Sequence, residues 1–351
     1  NIYVYNVNTN WGRKSTLFGY IFGEEEYSGS VCVKQSYSKV SNCNYYIPSS
    51  LRKVVVTGCY LLYGAFYGCN FLENVDLKEG VTRIGDYAFH KCTSLTDVTI
   101  SNGVTSIGSA SFCECDSLKK IVIPNSVTTI DAGAFMLCKA LEDINIPNGI
   151  TSITDQMFSH CTSLKEIDIP DSVTSIGGEA FYGCSSLVSI TIPSGVTSID
   201  GDAFANCSLL KKINIPNGVT RISDRVLKNC KALENILIPD GVTEIGNSAF
   251  FGCSSLKGIN IPSSVTTIGE SAFYGCSLIE SVTVPSSVKK IKPHAFHNCG
   301  ITKLIFVDTT SIWYHTGSWK CEDGTEYGPM SGTPEENLNA INSGGYYWYA
   351  E

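Results

Sequence analysis

The chain has 351 residues, 43% of them hydrophobic and 17% charged, with a formal net charge of -8. That balance is globular rather than disordered, and an acidic chain without a Lys/Arg cluster repels phosphate, which argues against nucleic acid as a partner. The longest apolar runs are short, Leu304 to Val307 among them, against the ~20 residues that cross a bilayer, so no membrane span is expected.

The first residues, Ile2, Val4 and Tyr5, have strand character, and they follow neither Met nor a charged-then-apolar leader. This suggests a processed or excised piece of a longer protein. Residues 1–46 read as a partial strand followed by an inserted surface loop from about Gly12 to Tyr46. Cys32 and Cys43 lie in that loop and either stay free or close it, since a segment with little core gains most from a staple.

From residue 47 to 307 one unit recurs. Cys69, Cys92, Cys115, Cys138, Cys161, Cys184, Cys207, Cys230, Cys253, Cys276 and Cys299 stand 23 residues apart, a period within the leucine-rich-repeat range, where units are stable only when stacked. Three positions before each cysteine is a phenylalanine, from Phe66 to Phe296 with Leu227 as the exception, and an isoleucine column runs from Ile84 to Ile291. Leu187-x-x-Ile190-x-Ile192, closed by Pro193, reads as a short strand of a parallel main sheet. Val173-x-x-Ile176 reads as a second, shorter strand ended by a tight turn at Gly177. The stretch from Glu179 to Gly183 reads as a helical or 3₁₀ turn that drops Phe181 into the core. The expected fold is an α/β leucine-rich-repeat solenoid, mostly β, with 23-residue repeats that each give a parallel strand, a short second strand and a short helical turn. Residues 308–351 abandon the repeat and gather aromatics, as expected of a cap over the last turn and its strand edge. A monomer is expected.

The columns of the repeat offer several candidate sites. In-register cysteine side chains point the same way, and an odd number cannot pair completely, so the column reads as buried free thiols. His90, Cys92, Cys113 and Cys115 nominally offer a Cys₃His zinc set, but the cysteine column should face the core and the column after Phe should face outward, so no metal is assigned. His294, His297 and His315 lie near Asp308 without a nucleophile at recognisable spacing, so no catalytic residue and no cofactor are assigned. The column after Phe contains Tyr67, Tyr182, Phe251 and Tyr274, candidate partner-binding residues whose alternative role is to pack on one another. On the main strands, a column from Glu73 to Lys303 alternates in charge along most of its length, which suits pairing between turns.

The signature V-T-S-I-G-x-x-A-F-x-G-C-S-S-L-x-x-I-x-I-P, seen in Val173 to Pro193, resembles the BspA-like, or Treponema-type, leucine-rich repeats over about Ile47 to Val307. Leu17 to Gly23 followed by Tyr45 to Leu51 resembles an insertion such proteins carry, and Tyr346 to Tyr349 resembles their terminal cap. The resemblance implies a secreted or cell-surface, extracellular protein of gut or oral microbes or anaerobic protists. It implies binding to host or microbial surface proteins in an adhesin-like way, without enzymatic activity. A glycan-binding surface built from the exposed aromatics is the alternative.

Overall fold

The structure is a computed structural model that describes residues 2–4, 22–36, 42–57, 61–307, 313–316 and 347–350. It comprises two compact units, Asn1–Leu187 and Val188–Glu351, each a mostly-β solenoid stack of 23-residue turns.

In the first unit, Ile2–Val4, Lys53–Val56, Asn74–Leu77 and Asp97–Ile100 form a parallel main sheet in that order, with Val54, Val75 and Val98 in register. A second set of two-residue strands, Arg83–Ile84, Ser106–Ile107 and Thr129–Ile130, stacks Ile84, Ile107 and Ile130. The second unit repeats this with Arg221–Ile222, Glu244–Ile245, Thr267–Ile268 and Lys290–Ile291. There, Tyr347–Ala350 joins the edge of Lys290–Ile291 and pairs with Trp313–Thr316, both antiparallel. Between the strand sets lies the phenylalanine column. Phe66, Phe89, Phe112, Phe135, Phe158 and Phe181 stack at centroid spacings of 5.2, 5.2, 5.5, 5.9 and 5.4 Å, and Phe250, Phe273 and Phe296 at 5.2 and 5.4 Å. These rings are fully buried, each worth about 2 to 3 kcal/mol by area alone.

The expected helical turn is not what forms, and among the described residues there is no helix. Ahead of each cysteine the N–H groups alternate. Those of Ala88, His90 and Cys92 reach back three residues to Gly85, Tyr87 and Phe89 carbonyls at 3.2, 3.1 and 3.1 Å. Those of Tyr87, Phe89 and Lys91 instead donate to Ser109, Ser111 and Cys113 of the next turn at 2.8, 2.7 and 2.9 Å. A helix would use all of these donors internally; the alternation frees half of them to bind the neighbouring turn. It requires a left-handed residue at two positions per turn, Tyr87 (φ 56°) and Lys91 (φ 62°) here. Left-handed backbone costs an L-residue about 1 to 2 kcal/mol, and the second position is accordingly often Gly or Asn, as in Gly183, Asn206, Asn229 and Gly275.

This ladder has a direction: its N–H groups point to the following turn, whereas strand N–H groups such as those of Lys78, Thr96 and Gly108 point to the preceding one. At Ala65 and Tyr67 the carbonyls that this ladder leaves facing away from the following turn are met by a side chain. The segment expected as a surface loop supplies the donor: Ser30–Ser36 and Asn42–Pro48 form an antiparallel hairpin that buries Tyr45, Ile47 and Gln35. The Gln35 amide donates to the carbonyls of Tyr67 at 3.2 Å and Ala65 at 3.5 Å. Cys32 and Cys43 are free. The hairpin register sets Cys32 opposite Tyr46 and Cys43 opposite Gln35, which leaves the thiols too far apart along the strands for a disulfide.

Gly177 does not have a positive φ; its need is space. A Cβ there would sit on the Asp155 carboxylate oxygen and 2.7 Å from the Asp155 nitrogen. That carboxylate accepts the Gly178 N–H at 2.8 Å. The same coupling joins Asp224 to Gly246 and the Asn247 N–H, and Asp86 to Gly108 and the Ser109 N–H.

The main sheet is less continuous than expected. Four-residue strands occur at Asn74–Leu77, Asp97–Ile100, Ser281–Val284 and Lys303–Phe306, but Lys120–Ile121, Asp143–Ile144, Ser189–Ile190 and Lys212–Ile213 are two residues each. Side chains take over part of the ladder. Asn145 accepts the Ile123 N–H and donates to the Ile123 carbonyl, both at 2.8 Å, and Asn214 does the same to Ile192 at 2.8 and 2.8 Å.

Gly177→Ala is expected to destabilise the fold by about 1 to 3 kcal/mol, the usual overpacking cost, read as a lower urea midpoint at unchanged m-value. Gln35→Leu strips the donor from two carbonyls and is expected to cost about 1 to 3 kcal/mol, with hydrogen exchange accelerating first in the turn around Phe66 to Cys69.

Candidate interaction surfaces

The cysteine column is buried from Cys69 to Cys276, with Cys299 half-buried. Its thiols do more than fill space. Cys92, Cys138, Cys184, Cys230 and Cys276 donate Sγ–H to the carbonyls of Phe66, Phe112, Phe158, Phe204 and Phe250 at 3.1 to 3.2 Å. Each of those carbonyls also accepts the N–H of the cysteine three residues on in its own turn, so the thiol engages a second lone pair. Burial pushes the thiols up, to about 12 for Cys184 and Cys253, with the backbone contact to the preceding cysteine opposing it.

The column after Phe does not face outward uniformly. Tyr67, Tyr182, Phe251 and Tyr274 are half-buried, while His90, Cys113, Ser159 and Ala205 are buried. The aromatic members lie against their neighbours: Tyr67 is 4.8 Å from His90, Tyr182 meets His160 edge-on at 5.1 Å, and Phe251 stacks on Tyr274 at 4.8 Å and 6°. Tyr274 in turn stacks on His297 at 5.1 Å, and Lys228 sits 5.5 Å over the Phe251 ring. The facing surfaces of Phe251 and Tyr274 are thus used by each other, which leaves a partner their edges.

His294 and His297 do come together, edge to face at 5.4 Å; Asp308 and the side chain of His315 lie outside the described residues. The nominal Cys₃His set does not converge. Cys92 and Cys115 turn to the carbonyls of Phe66 and Phe89. The structure instead brings His90 and Cys113 together from adjacent turns with Glu114, their ligand atoms all within 4.8 Å of one another. His90 and Cys113 belong to the nominal set and Glu114 does not; the left-handed residues at Lys91 and Glu114 turn their column away from the outward path expected of it.

On the main-sheet face, Lys257 pairs with Glu234 at 2.6 Å as the alternating column suggested, and Arg52 with Glu73 at 3.1 Å. Lys120 and Asp143 pair one column over. Such exposed pairs are worth a few tenths of a kcal/mol. In the second unit the same face holds a groove of about 510 Å³ lined by Ile190, Thr191, Lys211, Asn214, Glu234 and Asn235 among others. Beside it in the strand columns stand two apolar side chains in solvent, Leu237 at 71% and Val188 at 41% exposure.

The repeat geometry has a direct counterpart among known families. The model for the BspA-type leucine-rich repeat region matches residues 61–188 and 174–303. The chain belongs to the BspA-type leucine-rich-repeat family. Solved structures that resemble it include a leucine-rich cell surface protein of Faecalibacterium prausnitzii, 30% identical over 82% of this chain and 95% of that one, with a TM-score of 0.47. Leucine-rich repeat proteins of Eubacterium ventriosum (25% identity, 78% and 86% covered, TM-score 0.49) and Bacteroides ovatus (24%, 80% and 94%, TM-score 0.42) also match. None of the curated proteins matches. Within the described residues no helix is long and apolar enough to cross a membrane.

In this BspA-type repeat the buried thiols are expected to resist labelling. Native protein treated with a thiol reagent and mapped by mass spectrometry should be modified at exposed Cys32, while Cys69 through Cys276 of the column react only after denaturant is added.

Proposed function

We propose that this BspA-type chain is a non-enzymatic protein-interaction scaffold, secreted or displayed at a cell surface, that engages host or microbial surface proteins in an adhesin-like way. The observation that carries the reading is the main-sheet face of the second unit. A groove with Lys and Glu side chains on its walls and solvent-exposed Leu237 and Val188 beside it combines apolar anchors with a polar surround, the arrangement that concentrates binding energy at protein interfaces. Family membership supports the same reading. The half-buried edges of Tyr67 and Tyr182 in the first unit, and of Phe251 and Tyr274 in the second, are lesser candidate contacts.

Pull-down from host-cell and microbial surface extracts, alongside a glycan array, tests this reading. Leu237→Glu is expected to weaken capture by roughly 30-fold, an anchor loss of about 2 kcal/mol, without lowering the melting temperature, since the side chain is exposed. Equal capture by Leu237→Glu together with loss in a Tyr182, Phe251 and Tyr274 to Ser variant would move the site to those aromatic edges. Binding confined to glycans would overturn the protein-scaffold reading.

A further inference from the structure

We infer that His90, Cys113 and Glu114 form a binding site for a borderline transition-metal ion, Zn²⁺ being the ion whose chemistry fits them best. One imidazole, one thiol and one carboxylate make up the mixed nitrogen, sulfur and oxygen set that zinc accepts, whereas calcium and magnesium require oxygen alone. Their ligand atoms lie within 4.8 Å of one another. Around a tetrahedral zinc ion, bond lengths of about 2.0 to 2.3 Å bring ligand atoms to about 3.3 to 3.7 Å apart. The His90 Nε2 to Glu114 Oε1 distance of 3.6 Å already falls in that range, and the set as a whole contracts by up to roughly 1 Å on binding.

The imidazole is held at the site by burial. His90 is 9% exposed, and its Nδ1 is buried without a hydrogen-bond partner, so Nε2 is the nitrogen that faces the carboxylate. Its Nε2 lies 3.6 Å from Glu114 Oε1. Rings close the flanks, Tyr67 at 4.8 Å and Tyr87 edge-on at 5.5 Å. The groups facing the imidazole are thus Tyr67, Tyr87, Cys113, Glu114 and Lys91, whose Nζ stands 3.7 Å from Glu114 Oε1 and would yield that oxygen to the metal.

The backbone is already fixed. The His90 carbonyl accepts the Gly68 N–H at 2.8 Å, the Cys113 carbonyl accepts the Lys91 N–H at 2.9 Å, and the Glu114 N–H donates to Met136 at 2.9 Å. Ligands held by the inter-turn ladder are preorganised in the way a metal site requires. Binding expels the Cys113 thiol proton to solvent, pins two adjacent turns together, and leaves a fourth position for water.

The test uses the whole chain, stripped of metal with a chelator and kept reduced, titrated with Zn²⁺ by calorimetry and with Co²⁺ by absorbance. The expected result is one tightly bound Zn²⁺ and a thiolate-to-Co²⁺ charge-transfer band that Cys113→Ser abolishes. His90→Gln and Glu114→Gln should each weaken Zn²⁺ binding by about tenfold or more, a loss that changes even outside the ligand set produce. No binding, or a charge-transfer band that survives Cys113→Ser, would overturn the assignment. Because Cys113 is packed, its variant could misfold; Glu114→Gln at the rim decides independently, and an unchanged Zn²⁺ affinity there, with an unchanged melting curve of the metal-free protein, also overturns it.

Discussion

The structure depends on where the backbone N–H groups of the turn ahead of each cysteine go. A helix there would spend those donors within its own turn, and buried backbone groups must be satisfied. The chain resolves this by alternating, with one N–H turned inward and the next sent to the following turn. Two left-handed residues per turn are the cost. In return, the strand sets are joined by a third ladder, the phenylalanines are held in register, and the carbonyl of each Phe becomes the acceptor for a thiol in the next turn.

The columns of apolar residues were legible from the sequence because they repeat. Phe89, Ile107 and Cys115 recur at fixed offsets, and stacking requires little more than that. The backbone path of the turn was not legible, since Tyr87, Ala110, Gln156 and Arg225 adopt positive φ at a position whose residue types vary from turn to turn. Gly, Asn and the occasional Lys or Leu at the second position gave a faint signal, visible only once the geometry is known. The same gap explains why His90 and Cys113, named from the sequence in a column expected to face outward, are buried instead, with Glu114 beside them. It also hid Gln35, a single polar residue in a non-repeating segment, where no periodicity could mark it as buried.

Longer-range couplings explain departures from the repeat that looked incidental. Where a turn carries Asp at the position of Asp155, the following turn has Gly at the position of Gly177, because the carboxylate occupies the space a Cβ would need. Where Asn145 and Asn214 replace smaller residues in the main sheet, their amides stand in for a peptide group and interrupt the regular ladder. Neither effect belongs to one residue; each is a property of two turns in contact, and a single repeat read alone does not contain it.

The ladder ahead of the cysteines runs one way, toward the following turn, while strand N–H groups such as those of Lys78, Thr96 and Gly108 run the other way, to Val56, Glu73 and Ile84 of the preceding turn. Each turn therefore holds its neighbours by bonds of both senses, placed on different sides of the coil. Levering one side of a turn away from its neighbour leaves the opposing set on the other side intact, so that a turn is gripped as if by interlocked hooks rather than by a single zip.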